Sequence, residues 1–282
     1  MTHNFGRSFC ALFLVCSSSG HAVVTASAHV YGLTFSVVDL RPEDGAAPSL
    51  GFVGGRSFLQ STVESSGLLG RDASLWGTGP FSDLESTIKV GTVQSLVFID
   101  DGGGGAPWPG AVLHAEGQIA DAANRNRAFS SSVWSHSGTP DAANLFLSPY
   151  TQLQVTVAAV LWAAKTVGPF VEGNEFEASV AKASLGLSGP GFDNSRTAAI
   201  NLSIYDGAQS QSRTTTFSAF ARNNSDQPMP LYFSVRAAVD GRSTVSVVPE
   251  PATWALWATG LCAVVLRMPG RSRRRRQRLG RV

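Results

Sequence analysis

Between Tyr31 and Val248 apolar and polar residues alternate with a period of two, broken at intervals by Gly, Pro, Asn and Asp. A strand sends successive side chains to opposite faces, so this period marks half-buried β-structure. Tyr31–Val37, Leu153–Leu161, Ala198–Ile204 and Leu231–Val239 carry the pattern most cleanly. Further strands are predicted at Ser57–Val63, Ile88–Ile99, Ala111–Ile119, Ala128–Trp134, Phe176–Leu187, Arg213–Ala221 and Ser243–Val248. About ten short strands at near-regular spacing, with turn residues between them, point to two packed sheets. The expected fold class is all-β: a single antiparallel β-sandwich, jelly-roll-like, spanning 29–247. Within Phe176–Leu187 the apolar phase moves from Phe176, Ala178 and Val180 to Ala183, Leu185 and Leu187, which predicts a β-bulge. No amphipathic helix is expected before Pro251, although Asp121–Arg125 can form one turn.

The two ends break the pattern. Arg7 precedes the short apolar run Phe9–Val15, and small residues follow at Gly20, Ala22, Ala26 and Ala28. A basic start, a short apolar stretch and small residues at a cleavage position make a secretory signal peptide. Residues 1–28 are therefore assigned to it, as a helix removed by cleavage after Ala22 or after Ala28. At the other end Val248-Pro249-Glu250-Pro251 precedes the uncharged stretch Ala252–Leu266. The basic residues Arg267, Arg271, Arg273, Arg274, Arg275, Arg276, Arg278 and Arg281 come next. An apolar helix carrying Trp254 and Trp257 near one end and arginines beyond the other orients with its basic end in the cytoplasm. The signal peptide demands the same orientation.

The formal net charge is +2, with 22 Lys and Arg against 20 Asp and Glu. Because eight of the arginines sit in the last sixteen residues, the β-domain by itself is net acidic. That excludes a nucleic-acid partner argued from overall charge. The three cysteines, Cys10, Cys16 and Cys262, all fall in the end segments. The domain thus has no thiol nucleophile, no zinc-thiolate site and no disulfide.

The order of motif, apolar helix and basic cluster in 248–282 resembles the PEP-CTERM sorting signal. The resemblance implies recognition by an exosortase, a membrane-embedded cysteine transpeptidase of Gram-negative bacteria that make extracellular polysaccharide. It also implies a precursor anchored in the inner membrane with a periplasmic domain, and later cleavage near Val248–Pro251. The domain would then reach the cell surface or the extracellular matrix of a biofilm. The apolar helix 252–266 is short: roughly 22 Å at 1.5 Å per residue, against a hydrocarbon core of about 30 Å. It must thin the bilayer or let Arg267 snorkel. Asp39–Pro48, Leu147–Val155 and Leu187–Gly191 also look like stretches of other PEP-CTERM precursors, which implies a β-sandwich ectodomain.

Inside the domain, Asp100-Asp101 followed by Gly102–Gly105 is the most distinctive loop. Adjacent carboxylates on a turn offer oxygen ligands to Ca²⁺, which takes six to eight, but Asp-Gly is also an ordinary hairpin tip. No cofactor is expected, Ca²⁺ being the one cation this loop suits, and no metal site is assigned. Trp108, between Pro107 and Pro109, is the candidate for stacking on a sugar of an exopolysaccharide; Trp76, Trp134 and Trp162 are the other tryptophans, with Trp162 assigned to the core. His29, His114 and His136 lack metal-ligand spacing, and Glu172, Glu175 and Glu177 form an acidic cluster that reads as a charged loop entering a strand. No nucleophile elbow occurs. Three functions follow from these readings. They are a sorted non-enzymatic surface or matrix protein, a carbohydrate-binding module for exopolysaccharide, and a secreted hydrolase.

Overall fold

In the computed structural model the domain opens on a long strand, β1 (Val24–Asp39). A 3-10 turn at Pro42–Asp44 leads to β2 (Leu50–Phe52), β3 (Arg56–Ser65) and β4 (Arg71–Gly77). Next come β5 (Leu84–Val90), β6 (Val93–Asp100), β7 (Val112–Ile119), β8 (Arg127–His136) and β9 (Leu145–Leu147). The last are β10 (Thr151–Lys165), β11 (Glu177–Gly189), β12 (Phe192–Asp193), β13 (Arg196–Asn201), β14 (Gln209–Asn223) and β15 (Met229–Ser243). The structure describes residues 23–244, apart from 67, 104–107, 109, 121–125, 137–144, 167–175 and 204–207. The expected signal helix, the transmembrane helix 252–266, the motif 248–251 and the turn at 121–125 all lie outside the described residues. Among the described residues no helix is long and apolar enough to cross a membrane.

The described residues are all-β, and their sheets are antiparallel. One sheet has the order β14-β10-β1-β7-β6-β5; the other runs β12-β11-β15-β8-β3-β4, with β13 on β11 and β9 joining β15 to β2. The two face each other as in a β-sandwich. One face of each strand supplies the core: Val24, Ala26, Ala28 and Val30 from β1, Leu153 to Ala163 at every second position from β10, and Leu231 to Val239 likewise from β15. Alternation in sequence has become alternation between solvent and interior, as the pleat requires.

Several strands differ from expectation. The segment Ile88–Ile99 is a hairpin, β5 and β6, which turns at Gly91 with φ +59°. β4 was invisible in the sequence because it is an exposed edge strand with almost no buried position. β15 ends at Ser243, so no separate strand begins there, and residues from 245 lie outside the described set. The bulge expected in β11 is absent: its pairing with β15 runs in one register from Glu177↔Ser243 to Ser188↔Tyr232. The core-facing residues of β11 are Glu177, Ser179, Ala181, Ala183, Leu185 and Leu187. Two polar residues on the buried face imitate a phase shift. The real irregularity is in β1, where the register with β10 slips between Tyr31 and Thr34. Gly32 sits there at φ +66°, a left-handed conformation that costs glycine little, and the buried phase passes from Val30 to Leu33.

The domain also begins before His29. Val24–Ala28 belong to β1 and pair with both β10 and β7.

Packing between the sheets is closest around Phe129 of β8, 2% exposed. A Cβ on Gly117 of β7 would lie 2.0 Å from its ring, and one on Gly241 of β15 would lie 2.1 Å away. Gly117 thus makes room for the phenyl ring from the facing sheet, and Gly241 from the neighbouring strand of its own sheet. Overpacking a close-fitted core costs about 1–3 kcal/mol. Gly117→Ala is therefore expected to lower the thermal midpoint by that equivalent in unfolding followed by circular dichroism, whereas an unchanged midpoint would contradict the packing described.

Candidate functional site

The hairpin pairing that places Leu84 opposite Ile99 also brings Asp83 to the Asp100-Asp101 turn. The carboxylates of Asp83, Asp100 and Asp101 offer ligand oxygens all within 4.8 Å of one another. Their oxygens already accept backbone N–H groups: Asp101 N donates to Asp83 Oδ1 at 2.8 Å, Gly102 N to Asp100 Oδ1 at 2.8 Å, and Gly103 N to Asp101 Oδ1 at 2.7 Å. Such bonds fix the turn. Three carboxylates fall short of the six to eight oxygens Ca²⁺ takes, so water would have to complete the sphere. Sequence reading missed Asp83 because the hairpin had been taken for one strand.

Trp108 is not the exposed platform the sequence suggested. Its ring is half-buried, 4.9 Å from Phe52 and 5.4 Å from Phe81, and packs against the core. The opposite correction holds for Trp162, assigned to the core but 40% exposed on β10. Position 162 is out of phase with the buried residues of β10, Leu161 and Ala163. Trp76 and Trp134 lie on the outer face of the second sheet, Trp76 being 60% exposed.

Cross-strand pairing on the outer face of the first sheet gathers His29 and His114, which lie opposite each other, with Phe98 opposite His114. The imidazoles are 5.6 Å apart, Tyr31 is 5.2 Å from His29, and Phe98 stacks on His114 at 5.0 Å. Glu116 Oε2 is 3.2 Å from His114 Nε2. Burial pushes the His29 pKa down, and the neighbouring His114 pushes the same way. Around His114 stand a histidine, a phenylalanine and a carboxylate. Ser131, of the Ser130–Ser132 run, points inward and forms a buried hydroxyl cluster with Ser61 and Ser95. His136 pairs with Ser234 on one side and Arg56 on the other.

The acidic cluster divides. Glu172 and Glu175 lie outside the described residues, while Glu177 is fully buried as the first residue of β11 rather than part of a charged loop. Pairing sets Glu177 beside Ser243, and Ser243 beside Arg127, in one inward-facing rung of the second sheet. Lys165 occupies the corresponding end of the first sheet, and Arg127 and Lys165 are also buried. Arg127 Nη2 donates to Ser243 Oγ at 3.0 Å; Glu177 Oε2 accepts from Thr166 N at 2.8 Å. Buried charges persist where bonded partners offset their desolvation. The signal was in the sequence: each charge continues the core phase of its strand, as Arg127 does with Phe129 and Val133.

Compared with known proteins, the chain matches no family model, no curated protein and no solved structure.

The imidazole pair gives a pH dependence with a definite sign. Folded His29 takes up its proton at lower pH than the ordinary imidazole value of 6.5. Its contribution to stability is therefore intact above that value and is lost as pH falls through it toward the folded pKa. The thermal midpoint should decline on acidification below 6.5, and His29→Gln should flatten the decline. An identical slope in the variant would remove His29 as its source.

Proposed function

We propose that the chain is an exported, non-enzymatic surface or extracellular-matrix protein, sorted by an exosortase through a PEP-CTERM signal in 248–282. The observation that carries this reading is that both ends of the β-domain leave it side by side. Val23 N donates to Thr166 Oγ1 at 2.8 Å, and Thr166 N donates to Glu177. The neighbouring Phe176 exchanges bonds with Thr244, N to Oγ1 at 2.8 Å and O from N at 3.0 Å. The junction with a signal peptide and the junction with a sorting tail thus open on the same end of the sandwich. A precursor held at both ends in the inner membrane, domain outward in the periplasm, presents both junctions to membrane-bound processing enzymes. Processing then delivers the domain to the cell surface or matrix.

The strand order supports a jelly-roll reading of the sandwich. β14-β10-β1-β7 faces β13-β11-β15-β8, and after β7 the chain crosses repeatedly between the sheets. A jelly roll is a pair of four-stranded sheets wound in this way; here the N-terminal β1 fills the position next to β7 that a last strand would take. β5–β6 and β3–β4 extend the two sheets on one side.

Of the two cleavage positions, the one after Ala22 fits this arrangement. Cutting after Ala28 would remove Val24, Ala26 and Ala28, all fully buried, from a strand paired on both sides. Mass spectrometry of the exported protein should find Val23 as its first residue; a chain starting at His29 would refute this.

Deleting Pro249–Val282 tests the sorting itself. Fractionation should find the truncated domain released and missing from the envelope. Unchanged retention at the envelope would sink the proposal.

A further inference from the structure

Strand register lines up three aromatic residues and one cation across the outer face of the second sheet. Trp76 of β4 pairs with Phe58 of β3, Phe58 with Trp134 of β8, and Trp134 with Arg236 of β15. The Phe58 ring is 4.1 Å from Trp76 and 4.2 Å from Trp134, and the Arg236 guanidinium lies 5.6 Å over the Trp134 ring. Phe58 is only 7% exposed although it faces outward, because the two indoles enclose it. Trp76 stays 60% exposed at the sheet edge. The row is thus a line of mutually tilted rings in contact, with a cation at one end.

The charges around it have one sign. Arg56 stands on the next rung to one side and Lys182 on the next rung to the other, both exposed, as Arg236 is. Among the described residues the first outer-face carboxylates in that second direction, Asp72 and Asp240, are four positions along their strands from Trp76 and Arg236. That is about 13 Å of strand rise. Asp240 already accepts a bond from Ser130. Between lie the polar side chains of Ser74 and Gln60, with Ser132 buried beside them. On a net acidic domain this row sets Arg236, Arg56 and Lys182 beside a line of aromatic rings, a charge suited to an anionic partner.

We propose that the Trp76–Phe58–Trp134–Arg236 row binds an acidic polysaccharide, one whose pyranose rings carry carboxylates. The apolar C–H face of a pyranose lies flat on an exposed indole, and Arg236 meets a carboxylate through paired N–H donors. A stable protein partner would require about 800 Å² on this side, whereas each indole offers at most roughly 150–250 Å². The inference rests on the extracellular reading only for the polymer's source.

Native electrophoresis of the full-length chain, purified in detergent, through gels containing polygalacturonate or neutral dextran tests it. Polygalacturonate should retard the protein more than dextran does. The arginine tail 267–282 adds the same retardation to every variant, so the row is read from the difference between wild type and variants. Trp76→Ala and Arg236→Gln should each weaken the retardation about tenfold, the loss of roughly 1.4 kcal/mol. Arg236→Gln leaves every ring in place, and an unchanged thermal midpoint certifies that either variant is folded. No retardation by polygalacturonate, equal retardation by dextran, or wild-type behaviour of both folded variants would overturn the proposal. Sorting does not enter this measurement. A chain that binds but is not sorted overturns the export reading alone, and one that is sorted but does not bind overturns this one alone.

Discussion

Backbone pairing along β1 joins the two halves of the first sheet. On one side β1 pairs with β10 from Val24↔Lys165 to Asp39↔Thr151, and on the other with β7 from Val24↔Ile119 to Val30↔Leu113. Without it β14-β10 and β7-β6-β5 would be separate sheets with two unpaired edges, each exposing N–H and C=O groups that must find partners. Its inner face supplies Val24, Ala26, Ala28 and Val30 to the core, and its outer face sets His29 against His114. The segment closest to the proposed signal peptide is therefore among the most demanding in the fold. That is why the position of the proposed cut matters physically.

The end of the sandwich near Val23 and Thr244 carries buried polar groups alongside the apolar Val24 and Ile119. Glu177, Ser243 and Arg127 share an inward rung, with Lys165 at the same end of the facing sheet. Buried charges of this kind add little net stability compared with apolar residues. Their bonds are directional, however. Through Thr166, Glu177 is tied to the residue that opens the domain, and its neighbour Phe176 to the one that closes it.

The two outer faces differ in the charges that stand beside their rings. On the first, aromatic and imidazole rings stand beside Glu116, with Asp83, Asp100 and Asp101 at the β5–β6 end. On the second, Trp76, Phe58 and Trp134 are flanked by Arg236, Arg56 and Lys182. Such rows need antiparallel register, because residues directly opposite one another are close enough for their rings to touch. A domain built on this plan presents such rows on the faces of its sheets.

The sequence by itself determined the all-β class, most strand positions and the side of each strand that faces inward, because period-two alternation is a local property of the chain. It also marked both ends as unlike the middle. Only the tertiary structure decided which strands are neighbours and in what register, since pairing joins residues far apart in the chain. From that came the paired position of Val24–Ala28, the burial of Glu177 on an unbulged β11, and the meeting of Asp83 with Asp100. Trp108 and Trp162 exchanged roles for the same reason. A tryptophan's exposure depends on what lies across from it, and Phe52 and Phe81 cover the first while the outward phase of β10 turns the second to solvent.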